Sequence, residues 1–114
     1  MRIGQLATRS GVSVRALRYY EEQGLLIAER SPSGQRHYPE EAVEKVLFFQ
    51  DMYSAGLTSK RIAELMPCFD TGHTDAEQRS MLHAERNRIH ERVTQLTAAL
   101  RRLDSVIAVA DTHP

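Results

Sequence analysis

The sequence predicts a mainly α fold, in which a small helical head is followed by one long helix. Two short amphipathic segments meet at a glycine turn within the first 23 residues. Apolar residues recur at steps of three and four up to about residue 110, which is the spacing of a coiled-coil helix. A chain of 114 residues has room for one small domain plus such an element. We therefore expect a head over residues 1–70 and a dimerisation helix over residues 75–110.

The first two helices are predicted to form a helix-turn-helix. Gly11 can adopt the left-handed conformation that ends the first helix, and Ser13 can cap the free amides of the second. The second helix then has an apolar inner face and an outer face of Ser13, Arg15, Arg18 and Tyr19. Hydroxyl and guanidinium groups bond phosphates and base edges, so this face suits the groove of a DNA duplex. The alternative is an ordinary helical hairpin with a few solvated arginines.

A short hairpin is predicted next, because two β-prone pieces flank a Ser-Pro-Ser-Gly turn at residues 31–34. Beside a helix-turn-helix, such a hairpin is a wing. Arg36 in its second strand can reach a phosphate or the minor groove, while Tyr38 packs back on the head. The alternative is a plain surface loop that happens to contain an arginine.

Two further helices complete the predicted head. Pro39 is expected to start a helix over residues 40–55, because its missing amide costs nothing in the first turn. Thr58 can cap a shorter helix that Pro67 ends, which leaves residues 68–74 as a loop. Phe48 is expected to be core rather than ligand-binding. The residues predicted to face inward are Ala42, Val43, Val46, Leu47, Phe49 and Met52 in the longer helix and Ile62, Ala63, Leu65 and Met66 in the shorter one.

The long helix carries a heptad seam of apolar residues. A stripe this narrow on a rod of roughly 54 Å is too long for a small head to cover, so we expect it to pair with a copy of itself. The alternative is a single helix packed along its own chain. The seam residues are Leu82, Ile89, Val93, Leu96, Leu100, Leu103 and Ile107.

The formal net charge is zero, but the charges are unevenly distributed. Residues 1–38 hold six arginines and three glutamates, whereas the remainder holds nine basic and twelve acidic residues. A basic head suits the phosphate backbone, and two heads acting together would neutralise more phosphates. The one cysteine, Cys68, cannot form an intrachain disulfide, and no apolar run approaches the roughly 20 residues of a membrane span. We therefore expect a cytoplasmic protein that does not contact a membrane.

Four segments resemble the MerR family of bacterial transcriptional regulators, and they are spread so widely that the resemblance extends over essentially the whole chain. They are RYYEEQGLL at residues 18–26, SGQRHY at 33–38, AGLT at 55–58 and LRRLDSVI at 100–107. The resemblance implies a winged helix-turn-helix head and an antiparallel coiled-coil dimer. Members of the family bind an inverted repeat between promoter elements that are too far apart for RNA polymerase, and they twist and bend that DNA so that the elements align.

The resemblance also implies roles for individual residues, with the helix-turn-helix running from Gly4 to Gln23. Arg18 and Tyr19 would hold phosphates, and Tyr20 would be mostly buried. The candidate DNA-binding residues are Ser13, Val14, Arg15, Arg18, Tyr19, Tyr20 and Arg36. The implied partners are double-stranded promoter DNA, a second copy of the chain and, indirectly, RNA polymerase.

The sequence leaves the effector open. The paired cysteines of metal-sensing members and the large ligand domain of multidrug-sensing members are not found in these 114 residues. An electrophile-responsive branch of short members has a cysteine in the third helix, where this chain has Asp51. Cys68 is the candidate sensor thiol, and the alternative is a small buried hydrophobe. A metal site of Cys68, His73 and His83 would lack any recognised ligand spacing, so we predict neither metal nor cofactor.

Two other functions fit parts of the pattern. An architectural DNA-binding protein similar to phage excisionases would have a similar winged head, but such heads usually stand alone without a long heptad helix. A coiled-coil interaction protein could bind an acidic partner through its basic head, but the recognition-helix pattern disfavours it. No phosphate loop, nucleophile elbow or acid–base pair is recognisable, so we do not expect an enzyme. The prediction is a sequence-specific DNA-binding regulator that acts as a homodimer.

Overall fold

A computed structural model of the protein describes residues 1–113, which form five helices and a two-stranded antiparallel sheet. The helices are α1 (Ile3–Ser10), α2 (Val14–Glu22), α3 (Ala42–Ser54), α4 (Ser59–Thr71) and α5 (Ala76–Thr112). Strands β1 (Glu29–Arg30) and β2 (Arg36–His37) lie between α2 and α3. The chain divides into two compact units. The first, Met1–His73, is the head, and the second begins at Thr74 and contains α5.

The turn between α1 and α2 is set by local sequence. Gly11 has a left-handed φ of 71°, and its amide donates to the carbonyl of Ala7 at 2.9 Å. Only a residue without a Cβ takes this conformation at little cost. The hydroxyl of Ser13 accepts from the amide of Ala16 at 3.1 Å and so caps α2. The predicted roles of Gly11 and Ser13 are confirmed.

The core of the head forms where α1 packs against α2 and α3, and α3 packs against α4. The wing is tied to the start of α1, because Met1 and Tyr38 exchange backbone hydrogen bonds of 2.7 and 2.8 Å. Tyr38 is buried, as predicted. Leu47 and Ala63, which were expected to face inward, are exposed. Leu47 directly follows Val46 and so points away from the buried face of α3, whereas Ala63 lies at the edge of the buried stripe of α4. The largest fully buried side chains are Tyr38, Phe49, Leu6, Leu17, Ile62 and Val46.

Helix α4 continues through Pro67, so the predictions that Pro67 ends the helix and that residues 68–74 form a loop are wrong. A proline inside a helix costs about 3 kcal/mol, because it removes one hydrogen bond and crowds the preceding turn. Contacts with α3 stabilise the last turn against this cost. The rings of Phe69 and Phe48 lie 5.3 Å apart, and the Asp70 carboxylate lies 2.7 Å from the Lys45 amine.

The single cysteine consequently lies on a helix rather than on a loop. Cys68 is part-exposed in the last turn of α4, and its carbonyl accepts from the amide of Gly72 at 3.1 Å. Gly72 has a left-handed φ of 67° and is the residue at which α4 stops.

Helix α5 begins with a capping box. The Asp75 carboxylate accepts from the amide of Gln78 at 2.7 Å, and the Gln78 side chain accepts from the amide of Asp75 at 3.0 Å. The helix is 37 residues long, which corresponds to about 55 Å. Within residues 1–113, no helix is both long and apolar enough to cross a membrane.

Candidate nucleic-acid interface

The outer face of α2 presents the side chains that were predicted to point outward. Ser13, Arg15, Arg18 and Tyr19 are exposed, and Val14 is part-exposed. Within residues 1–113, the side chains of Arg15 and Arg18 form no hydrogen bond or ion pair. Two unpaired guanidinium groups one turn apart on a helix are available to phosphates and to guanine edges.

Tyr20 faces the core and supports its neighbour. It is only 4% exposed, and its hydroxyl accepts from the Gln50 amide at 2.7 Å. Its ring stacks on that of Tyr53, with centroids 5.7 Å apart. A side chain this buried can offer DNA at most its hydroxyl, although it belonged to the candidate set. Tyr19 is 45% exposed, and its ring packs against the same Tyr53 ring, with centroids 6.2 Å apart. This contact helps to hold the Tyr19 side chain in place.

Tyr53 of α3 is therefore part of the support for the recognition helix. Burial raises the pKa of Tyr53 above its usual value of 10, and the nearby Tyr19 and Tyr20 hydroxyls raise it further. A hydrogen bond of 2.5 Å to Ser59 works in the opposite direction without cancelling the shift. Tyr53 is thus neutral at physiological pH, and the Tyr19 ring packs against an uncharged side chain. Tyr53 was not among the predicted site residues, because nothing in its local pattern indicates which helix it contacts.

The wing is attached to the recognition helix through one carboxylate. Residues Arg30 and Arg36 face each other across the hairpin. The Arg36 guanidinium lies 2.8 Å from one carboxylate oxygen of Glu21, and the Tyr38 hydroxyl donates to the other oxygen. Glu21 thereby fixes the wing against the end of α2. Glu21 belongs to the motif at residues 18–26, but no role was predicted for it from the sequence.

A single groove collects cationic side chains from three elements. Arg18 from α2 and Arg36 from β2 line it, together with Arg2, which precedes α1. The Arg2 guanidinium donates to the side-chain carbonyl of Gln35 in the wing. The groove has a volume of about 290 Å³ and is open to solvent. Three guanidinium groups along one groove provide an electropositive track suited to a phosphate backbone.

The remaining candidate residues lie outside this groove. Five of the seam residues of α5, from Val93 to Ile107, are between 46% and 59% exposed in the single chain. Leu82 and Ile89 are part-exposed. Among residues 1–113, no group of three histidine, cysteine, aspartate or glutamate side chains is arranged to hold a metal ion.

A winged helix-turn-helix with a basic groove defines a class of DNA-binding regulators, and comparison with known proteins identifies the family. Residues 1–67 match the profile of the MerR HTH family regulatory proteins. The HTH-type transcriptional regulator HmrR of Rhizobium leguminosarum bv. viciae is 29% identical over 108 residues, which are 94% of this chain and 84% of HmrR. The chain belongs to the MerR family, as its motifs predicted.

Solved structures of the family share the fold. A MerR family transcriptional regulator from Listeria monocytogenes superposes with a TM-score of 0.83 at 32% identity, over 99% of this chain and 87% of that one. HiNmlR, a MerR family regulator lacking the sensor domain and solved bound to promoter DNA, superposes with a TM-score of 0.79 at 23% identity. That match covers 94% of this chain and 86% of HiNmlR. The predicted architecture of a winged head and a long helix is confirmed.

Proposed function

We propose that this MerR-type transcriptional regulator binds promoter DNA as a homodimer and distorts that DNA to control transcription. The observation that carries the proposal is the groove in which Arg18 of the recognition helix and Arg36 of the wing lie together, beside the unpaired Arg15. A groove lined by both elements fits a helix in the major groove and a wing on the adjacent backbone.

The residues divide into two roles. Ser13 caps α2 and Arg15 lies in its first turn, where side chains of a recognition helix reach base edges. Arg18, Tyr19 and Arg36 lie further along and hold phosphates. Because the Arg36 guanidinium is bound to Glu21 in the free protein, it must be shared with, or transferred to, a phosphate when DNA binds.

A homodimer follows from the exposed seam of α5, which has no covering partner within the described chain. Two linked heads reading an inverted repeat gain affinity, because the second head binds as an intramolecular event. RNA polymerase then responds indirectly to the altered promoter. An excisionase-like architectural role is disfavoured, because such a head has no use for a helix of 37 residues. The protein is no enzyme in this account, and it works in the cytoplasm, where promoter DNA lies.

Cys68 is the candidate sensor within this function. Its thiol is part-exposed at the end of the head unit, where a modification would alter the last turn of α4. We expect a thiol-reactive compound to change DNA binding by the native protein and to leave Cys68→Ser unaffected. Equal responses of both proteins would remove Cys68 from the mechanism.

The proposal is tested by fluorescence anisotropy with a duplex from the DNA upstream of the protein's own gene and a scrambled duplex of equal length. We expect tight binding to the first duplex only, and loss of that binding in the double variant Arg15→Ala/Arg18→Ala. Arg102→Ala is the matched control, because it removes an exposed arginine of α5 and leaves the head intact. Equal affinity for both duplexes, or no effect of the double variant, would contradict the proposal.

A further inference from the structure

The apolar seam of α5 is symmetric about Ala98. Its steps from Ile89 to Ile107 are four, three, four, three and four, so they read the same in both directions. An inverted second copy whose two-fold axis crosses Ala98 therefore matches apolar residues in every layer from Ile89 to Ile107. The matched layers are Ile89 with the partner's Ile107, Val93 with the partner's Leu103, and Leu96 with the partner's Leu100.

Sliding the two helices by one heptad gives poorer seams. In the proposed register, Arg86 lies opposite the partner's Ala110, outside the apolar layers. A slide in one direction pairs Leu82 with the partner's Ile107 but places Arg86 opposite the partner's Leu103, which buries a guanidinium group between apolar layers without adding to their number. In the other direction, Ile89 is left without an apolar layer and Ala110 takes its place. Replacing an isoleucine with an alanine in a packed layer loses buried apolar area. Apolar packing alone thus favours the register centred on Ala98.

The row of residues on one flank of the seam selects the same register. The row starts at the residue directly after Leu82 and continues at every seventh position. It consists of His83, His90, Thr97, Asp104 and Asp111. In an antiparallel pair, the row runs beside its own inverted copy. With the axis at Ala98, both histidines meet an aspartate of the partner and Thr97 meets its own copy. A slide of one heptad in either direction leaves only one histidine opposite an aspartate.

We propose that a second copy of this chain docks antiparallel on α5 with the two-fold axis at Ala98, and that contacts of His90 with the partner's Asp104 and of His83 with the partner's Asp111 select this register. This interface rests on the proposed homodimer and specifies how its two copies align. On its own helix, His83 lies one turn from Arg79 and Arg86, and His90 lies one turn from Arg86. These cations add to the attraction for the partner's carboxylates.

The register can be measured by double electron–electron resonance, which gives the distance between the two spin labels of a dimer. The labels are attached in two separate single-cysteine variants, Asn87→Cys and Ser105→Cys, both in a Cys68→Ser background. Both positions are exposed and lie off the seam. The proposed register separates the paired labels along the axis by about 33 Å and about 21 Å, respectively. A slide of one heptad changes the two distances in opposite directions by about 10 Å, and a parallel pair brings both within roughly 15 Å. Either of those results would overturn the register.

The charge contacts are tested by the dimer dissociation constant at pH 6, where free imidazole is mostly protonated. Asp104→Arg places a cation opposite the partner's His90 twice per dimer. We therefore expect the dimer dissociation constant to rise roughly tenfold. Adding His90→Glu should restore the native value to within about twofold. Residues 90 and 104 of one helix are about 21 Å apart, which is beyond the screening length. A rescue must therefore come from an attraction between residue 90 of one copy and residue 104 of the other.

The matched control replaces His90→Glu with His83→Glu, which lies one heptad away and should not rescue Asp104→Arg. Rescue by His83→Glu, or none by His90→Glu, contradicts the proposed contacts. Sedimentation of the native protein separates this failure from that of the proposed function. If the native protein sediments as a monomer, the proposed homodimer is wrong. If it sediments as a dimer but the label distances differ from those expected, only the proposed register is wrong.

Discussion

At the scale of single residues, affinity and specificity are assigned to different arginines of α2. Arg18 lies in the groove shared with the wing, and its guanidinium group has no intramolecular partner within residues 1–113. We expect Arg18→Ala to weaken binding to all sequences alike and to lower the slope of log affinity against log salt by about one. Anisotropy titrations at several salt concentrations measure both quantities. An unchanged slope would mean that Arg18 holds no phosphate.

Arg15 is predicted to read bases, because it lies in the first turn of α2 and its guanidinium can bond guanine O6 and N7 together. We expect Arg15→Ala to cost about 1–3 kcal/mol on the operator and much less on scrambled DNA. Titration against both duplexes at one salt concentration decides the matter. Equal losses on the two duplexes would move Arg15 to the backbone and leave sequence reading to Ser13, Ala16 or DNA shape.

Glu21 competes with DNA for the wing arginine. Glu21→Gln keeps an acceptor for the Tyr38 hydroxyl but removes the ion pair with Arg36. We expect this variant to bind DNA a few-fold more tightly at low salt, because a free guanidinium replaces a paired one near the phosphates. Its stability should fall by about 1 kcal/mol, because the Arg36 side chain is half exposed and the introduced glutamine keeps the hydrogen bond from Tyr38. A loss of affinity as large as that of Arg36→Ala would instead show that the ion pair positions Arg36 for DNA.

At the scale of elements, the proposed dimer depends on the seam of α5. Leu100 is 59% exposed in the single chain and lies near the middle of the seam. Leu100→Asp should abolish the dimer, because it places two carboxylates in an apolar contact without partners. Sedimentation velocity measures the change, with Arg101→Asp as the control at the adjacent exposed position. If Leu100→Asp still sediments as a dimer and binds DNA normally, the seam has been misassigned.

The elements also show what sequence can specify. The turn between α1 and α2 was predictable, because Gly11 and Ser13 act on amides within four residues of themselves. The continuation of α4 beyond Pro67 was not predictable, because the last turn is stabilised by contacts of Phe69 and Asp70 with α3. Local propensity placed the end at Pro67, and tertiary packing overrode it.

At the scale of the whole molecule, the candidate site was predicted as a set of residues but not as an arrangement. The pattern of α2 indicated which side chains point outward, because helical periodicity alone decides that. The joining of the wing to α2 through Glu21 was beyond the sequence, since it depends on where the folded hairpin docks. The same holds for Tyr53, which supports Tyr19 only because α3 lies behind α2.

The central claim is that two copies of this head bind one promoter. DNase I footprinting on the DNA upstream of the protein's own gene tests it most directly. We expect one protected region with two-fold symmetry that lies between the promoter elements, with enhanced cleavage at its centre where the duplex is distorted. Leu100→Asp should lose this protection at concentrations that saturate the native protein. Scattered protection along the fragment, or an undiminished footprint with Leu100→Asp, would contradict the account.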